Sequence, residues 1–221
     1  LRVARAEANL LTGLMQLLQE SYVSYIKAGF NLRAAWKGFE ATERIVARAG
    51  AAASTRFDRN VLSGVLFGIG GVNLAVSQLP TKVLKLVSIF GIPHDRHEGF
   101  RSLRAAAASG GFHAPLANLI MAGYYALIPS FAPCLVESYL REGLPLLQSQ
   151  LDLYPVSAIH WWLGGRMLRL RRDPRAAIAA FRRSAAGGQE FEQVRHVNAY
   201  EIGVSRMALA DWRGGSDPFW L

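Results

Sequence analysis

The chain is 221 residues long and 51% hydrophobic, long enough to bury a core and too apolar for extended disorder. Its net charge of +9 rests on 21 Arg and 4 Lys, a balance that permits RNA, DNA, anionic lipid or acidic proteins as partners and selects none of them. The lone Cys134 excludes an internal disulfide and points to a reducing intracellular compartment, and no signal peptide is visible at the start.

Leu11, Leu14, Leu18, Tyr22 and Tyr25 recur at helical spacing and predict a first helix over roughly residues 5–28, ended by Gly29. Asn31 is placed to cap a second helix, in which Leu32, Trp36, Phe39 and Val46 share a face and which Gly50 closes. Small and polar residues over 50–56 predict a loop. Asp58 to Leu79 predicts a long apolar helix, and its Gly64, Gly68, Gly70 and Gly71 imply a kink or very close packing. Pro80 breaks it. A short helix is expected from Thr81 to Phe90, a turn at Gly91-Ile92-Pro93, and a helix that starts at Asp95 and ends at Gly110-Gly111. Further helices are predicted from Pro115 to Leu127, Pro133 to Leu153, Val156 to Leu170, Pro174 to Ala186 and Phe191 to Trp212. Strand alternation is absent, so about ten helices on short connections make the fold class all-α.

Within that set, Trp161, Gly165 and Leu168, followed by Asp173-Pro174, Ala177 and Phe181, stand where a tetratricopeptide repeat places large, small, large, turn, small and large residues. Positions i, i+4 and i+7 share one helix face, so Gly165 lets the next helix approach and Phe181 fills the space. Residues 158–189 therefore read as one repeat, and the chain as an α-solenoid of helical hairpins. A second repeat is suggested by Ala122-Gly123 and by Leu147, eight residues before Pro155, with about a two-turn insertion between its helices. A third begins with Glu201 to Trp212, where Gly203 takes the small-residue part. No regular repeat precedes residue 110. The expected organisation is a helical region over 1–110 and tetratricopeptide-like hairpins over 111–221 in one continuous solenoid. Without an initiator Met and ending on Phe219-Trp220-Leu221, the sequence reads as a piece of a longer protein.

Residues 68–111 read GIGGVNLAVSQLPTKVLKLVSIFGIPHDRHEGFRSLRAAAASGG. Asn73-Leu74, Ser77, Leu79-Pro80, Lys82-Val83-Leu84-Lys85-Leu86, Gly91, Asp95-Arg96 and Gly99 resemble the signature of the tetratricopeptide repeat protein 39-type family, which includes the fungal outer-membrane inclusion-body clearance proteins. Tyr154-Pro155, Gly165-Arg166, Tyr200-Glu201 and Asp211-Trp212 follow the same pattern in the same order. Val72 replaces an aromatic, and Pro93-His94 a small pair. The resemblance implies an α-helical repeat adaptor with no known catalytic centre, with links to mitochondria, cytosol, nucleus or protein turnover. It also implies that this chain is the central part of a protein more than twice as long.

Several groups invite chemistry and read more simply as structure. The glycines from Gly64 to Gly71 follow no strand and precede no Gly-Lys-Ser/Thr, so they suit helix packing better than a phosphate loop. His94 and His97, flanked by Asp95 and Glu98, lack the third and fourth ligands that zinc needs, and Asp95 is a good N-cap. Cys134, with His113 or His160, could form a thiol nucleophile, but beside Leu135 and Val136 it reads as a small core residue. Residues 60–81 and 114–136 are uncharged and long enough to span a bilayer. Asn60, Ser63, Asn73, Ser77 and Gln78 interrupt the first, and Pro129 and Pro133 the second, so buried helices are expected. Arg166, Arg169, Arg171, Arg172, Arg175, Arg182 and Arg183 cluster around the repeat and read first as solvated helix ends.

The sequence thus predicts a non-enzymatic adaptor or scaffold, with no catalytic residue, no metal and no cofactor, that binds a protein partner. Turning the Trp161 face by one residue brings Trp162, Arg166 and Arg169 together, a set suited to an acidic or C-terminal peptide through stacking and bidentate hydrogen bonds. Two alternatives stay open. One is a membrane-associated or lipid-binding protein built around residues 60–90, at the mitochondrial outer membrane for example. The other is an RNA-binding accessory subunit that uses the Arg cluster.

Overall fold

The computed structural model describes residues 1–19, 21–49 and 56–211. Among the described residues, regular structure consists of ten α-helices and two short 3-10 turns, with no strand. The helices are α1 (Arg2–Leu17), α2 (Tyr22–Ala49), α3 (Arg56–Ser77), α4 (Thr81–Ser88), α5 (Arg96–Ala108), α6 (Ala114–Leu127), α7 (Val136–Leu153), α8 (Ala158–Leu170), α9 (Pro174–Gly187) and α10 (Glu192–Met207). The 3-10 turns, Ile128–Ser130 and Pro133–Leu135, lie between α6 and α7. The fold is all-α, a tetratricopeptide-like solenoid chain whose helices pack in order. It divides into two compact units, Leu1–Asn118 and Leu119–Leu221. The expected closure at Gly50 and most of the loop over 50–56 lie outside the described residues; the helix expected to run to Trp212 ends earlier, at Met207, with a turn over 208–210.

The first helix boundary differs from the sequence expectation. The break falls between Leu17 and Tyr22, and Gly29 sits inside α2. Two features explain this. Ser21 gives its carbonyl to the Tyr25 N–H, while the Ser24 hydroxyl donates to Gln19 Oε1, so polar groups at 19–24 start a new helix. Gly29 serves packing instead of termination, since a Cβ there would lie 2.4 Å from the Phe90 ring. Asn31 is correspondingly not a cap; its amide donates to Gln16 Oε1 on α1.

In the first unit α1 and α2 form a hairpin, α3 lies against both, α5 packs on α3, and α4 on α2. The core joins Ala6 and Leu10, then Leu32, Ala35 and Phe39, then Val65, Ile69, Val72 and Val76, with Ile92. Each large side chain so buried stabilises by about 1.5–3 kcal/mol. The α3 glycines make these contacts close. A Cβ on Gly68 would sit 2.2 Å from the Phe39 ring, and one on Gly70 would sit 2.9 Å from the Gly99 carbonyl of α5. The chain then turns at Gly91, whose φ of +65° is open to glycine without strain.

In the second unit α7, α8, α9 and α10 pack consecutively. Asp173 caps α9 by accepting from the Ala176 N–H, and Pro174 occupies its first turn. Between α6 and α7 the close approach is at Gly143 on the second helix, where a Cβ would lie 2.8 Å from Tyr125, whereas Gly123 faces open space. Of the expected pair Ala122-Gly123, Ala122 is fully buried and Gly123 makes no close contact. The 3-10 turns occupy the predicted insertion and delay the start of α7 to Val136.

Candidate functional site

The α8–α9 hairpin is built on a steric fit. Ala177 and Phe181 are fully buried, and a Cβ on Gly165 would stand 2.4 Å from the Phe181 ring. Trp161 is half-buried; its indole N–H donates to the Pro155 carbonyl at 2.7 Å, and the Arg183 guanidinium lies 4.6 Å over its ring. Leu168 is half-buried, and its carbonyl receives the Asp173 N–H that closes the turn.

One position further round α8, Trp162, Arg166 and Arg169 are all half-buried. The structure gives the two arginines a common partner, Glu201 of α10. Arg166 Nη1 meets Glu201 Oε1 at 2.6 Å, and Arg169 Nη1 meets Glu201 Oε2 at 2.5 Å. Arg166 Nη2 also donates to the Ser130 hydroxyl at 3.2 Å. The planar guanidinium groups lie over rings: Arg166 is 5.3 Å from the Trp162 centroid and Arg169 is 5.7 Å from that of Phe181. The Glu201 side chain is 3% exposed, those of Arg166 and Arg169 18% and 23%. A carboxylate this enclosed is tolerated because both its oxygens meet a guanidinium.

The cluster is not electrically balanced, since two cations share one anion. It also keeps unused donors: Trp162 Nε1 and Arg166 Nε are enclosed and have no hydrogen-bond partner among the described residues. Beside it a polar spine ties three helices. Asn198 of α10 donates to the Ser184 hydroxyl of α9, which donates to the Ala158 carbonyl of α8. Sequence reasoning found the two arginines but missed Glu201, Ser130, Asn198 and Ser184. Glu201 carried a signal, being the only acidic residue between Gln193 and Ala210.

The remaining candidates are accounted for locally. Arg171 lies 3.7 Å from Asp173, while Arg172, Arg175, Arg182 and Arg183 are exposed. Asp95 caps α5, accepting from the His97 and Glu98 N–H groups, and these hydrogen bonds, that from Glu98 foremost, hold its carboxyl below the usual range. Cys134 is exposed on the Pro133–Leu135 turn, which corrects its expected place in the core: a single 3-10 turn opened by Pro133 presents it outward. His160 Nδ1 lies 2.8 Å from the Ser157 hydroxyl, its ring stacks on Tyr154, and burial pushes its pKa down.

One described helix, over Arg59–Ser77 in α3, is long and apolar enough to cross a membrane. Here it is packed inside the first unit, and its polar groups have partners there. Asn60 accepts from the Phe112 N–H, Ser63 from the His113 N–H, and Asn73 from the Asp95 N–H. The apolar run over 114–136 is broken into α6 and the two 3-10 turns.

A family model described as Iml2/Tetratricopeptide repeat protein 39 matches residues 1–221. Tetratricopeptide repeat protein ttc-39B of Caenorhabditis elegans is 26% identical over 186 residues, which cover 83% of this chain and 32% of that protein. The chain thus spans about a third of the length of this curated relative. No solved structure matches it. The match over the whole length, together with the Gly165–Phe181 hairpin and the Asn73–Asp95–Gly99 packing of the signature segment, makes the chain a member of the Iml2/Tetratricopeptide repeat protein 39 family.

Proposed function

We propose that the chain is a non-enzymatic adaptor that binds an acidic or C-terminal peptide of a protein partner at Trp162, Arg166 and Arg169. The observation that carries this reading is the two-to-one ratio of guanidinium to carboxylate in a half-buried cluster. A second carboxylate would complete the charge balance, and the guanidinium pair is already oriented by Glu201, Trp162 and Phe181, which lowers the entropy lost on binding. Membership of a tetratricopeptide repeat family supports protein recognition in general, since such folds act by displaying surface. A reducing compartment, cytoplasmic or mitochondrial, suits the exposed Cys134 thiol.

The test is a pull-down that compares the wild-type chain with a variant carrying Arg166→Ala, Arg169→Ala and Glu201→Gln. The third change is needed because removing the arginines alone would strand a buried carboxylate and unfold the hairpin. Loss of partners at unchanged helicity supports the site. An identical set of partners rules these residues out.

A further inference from the structure

Ser130 is the neutral member of the cluster that α8 builds with Glu201. It closes the Ile128–Ser130 turn, and two contacts fix that turn. Pro129 is fully buried, and the Phe131 N–H donates to the Ile128 carbonyl at 3.0 Å. The exposed Ser130 is thereby held beside α8, where its hydroxyl accepts from Arg166 Nη2 at 3.2 Å. A hydroxyl accepts that hydrogen bond without bringing a negative charge. The rest of the turn brings none either, since residues 114–136 carry no charged side chain. The carboxylates that follow on α7 are engaged elsewhere: Glu137 lies 3.6 Å from Arg141, and Glu142 accepts from the Tyr125 hydroxyl at 2.6 Å.

We propose that Ser130 determines the specificity of this site: it meets Arg166 as a neutral acceptor, leaves the second guanidinium charge uncompensated, and so makes the seat take a carboxylate in preference to a carboxamide. This role presupposes the peptide seat proposed above and names what sets its selectivity. Glu201 does not play the part, because both its oxygens already meet a guanidinium and its side chain is 3% exposed. Ser130→Asp would put a carboxyl carbon where the serine oxygen stands and carry two charged oxygens one bond further toward Arg166. The seat would then be filled from within, two carboxylates against two guanidinium groups. Ser130→Asn has the same shape and reach but no charge. Comparing the two substitutions separates charge from packing.

The test titrates the full chain with a peptide ending in Asp-Glu-Glu and a free carboxylate, and with its counterpart ending in Asn-Gln-Gln and a C-terminal amide. Wild type and Ser130→Asn are expected to prefer the acidic peptide by at least about tenfold, and Ser130→Asp to lose that preference. Thermal melts read the same charge without a peptide. At low salt Ser130→Asp should melt above Ser130→Asn, by a margin that shrinks as salt rises. If wild type prefers the acidic peptide and Ser130→Asp does so equally, this role of Ser130 is overturned and the seat stands. A Ser130→Asn that loses the preference as fully as Ser130→Asp also overturns it, since Ser130 would then act by packing alone. A wild type that binds neither peptide overturns the seat itself, and the role of Ser130 with it.

Discussion

The side-chain oxygen of Asn73 accepts the backbone N–H of Asp95 at 3.0 Å, joining the C-terminal part of α3 to the residue that starts α5. The Asn73 amide donates to the Ile69 carbonyl, and Asp95 in turn caps α5. Three signature residues, Asn73, Asp95 and Gly99, thereby act in one contact, because Gly99 backs onto Gly70 and Asn73. In this chain these three residues serve the crossing of α3 and α5, which accounts for Asn73 and Asp95 without a ligand.

Asn73→Leu removes the acceptor for Asp95 and adds branching against Gly99. It should cost about 1–3 kcal/mol, the range for a polar group left unpaired, and lower the urea midpoint without changing the slope. Asp95→Ala, which removes the α5 N-cap, should also lower the urea midpoint.

Gly165 and Phe181 make the corresponding fit in the second unit. Gly165→Ala places a methyl 2.4 Å from the present ring position, so Phe181 must shift, at a cost of about 1–3 kcal/mol. Gly165→Leu should cost more. Thermal melts of both variants check the order; an unchanged Tm for Gly165→Leu would remove the basis for the tetratricopeptide hairpin.

Glu201→Gln leaves two guanidinium groups sharing a neutral amide. Loss of a fully buried partner costs about 3–5 kcal/mol, and partial exposure of the arginines reduces the expectation to about 2 kcal/mol. Replacing the whole cluster with Arg166→Met, Arg169→Met and Glu201→Leu should recover most of that stability while abolishing peptide capture. Such an outcome separates a binding role from a merely structural one.

His160 gives a pH dependence with a definite sign. Burial holds its folded pKa below the ordinary 6.5, so the unfolded chain takes up the proton first as pH falls. Its contribution to stability is complete above about 6.5, declines as pH drops below that value, and levels off beneath the folded pKa. Asp95 behaves alike in a lower window: its stabilisation is present above 3.8 and is lost as pH falls further. Melts between pH 7.5 and 5.5 should show a smaller decline in His160→Gln than in wild type.

Helices were legible where periodicity, proline and glycine agreed, as at Pro80, Gly91, Asp95 and Asp173-Pro174. They were misread at Gly29, because a glycine that ends a helix and one that admits Phe90 look the same in one dimension. At the site, Trp162, Arg166 and Arg169 came from helix geometry, which is local. Glu201 stands 35 residues beyond Arg166, and only packing of α10 on α8 brings it there. Cys134 defeated the rule that small thiols are buried, since its place depends on a 3-10 turn that no period announces.

The most direct test is isothermal titration of the full chain with a ten-residue peptide ending in Asp-Glu-Glu and a free carboxylate. Wild type would be compared with the variant carrying Arg166→Ala, Arg169→Ala and Glu201→Gln, at low and physiological salt. The proposed adaptor site predicts saturable binding by wild type that weakens with salt, and at least about tenfold weaker binding by the variant at equal helicity. Equal affinity in the two proteins, or no binding to either, would contradict it.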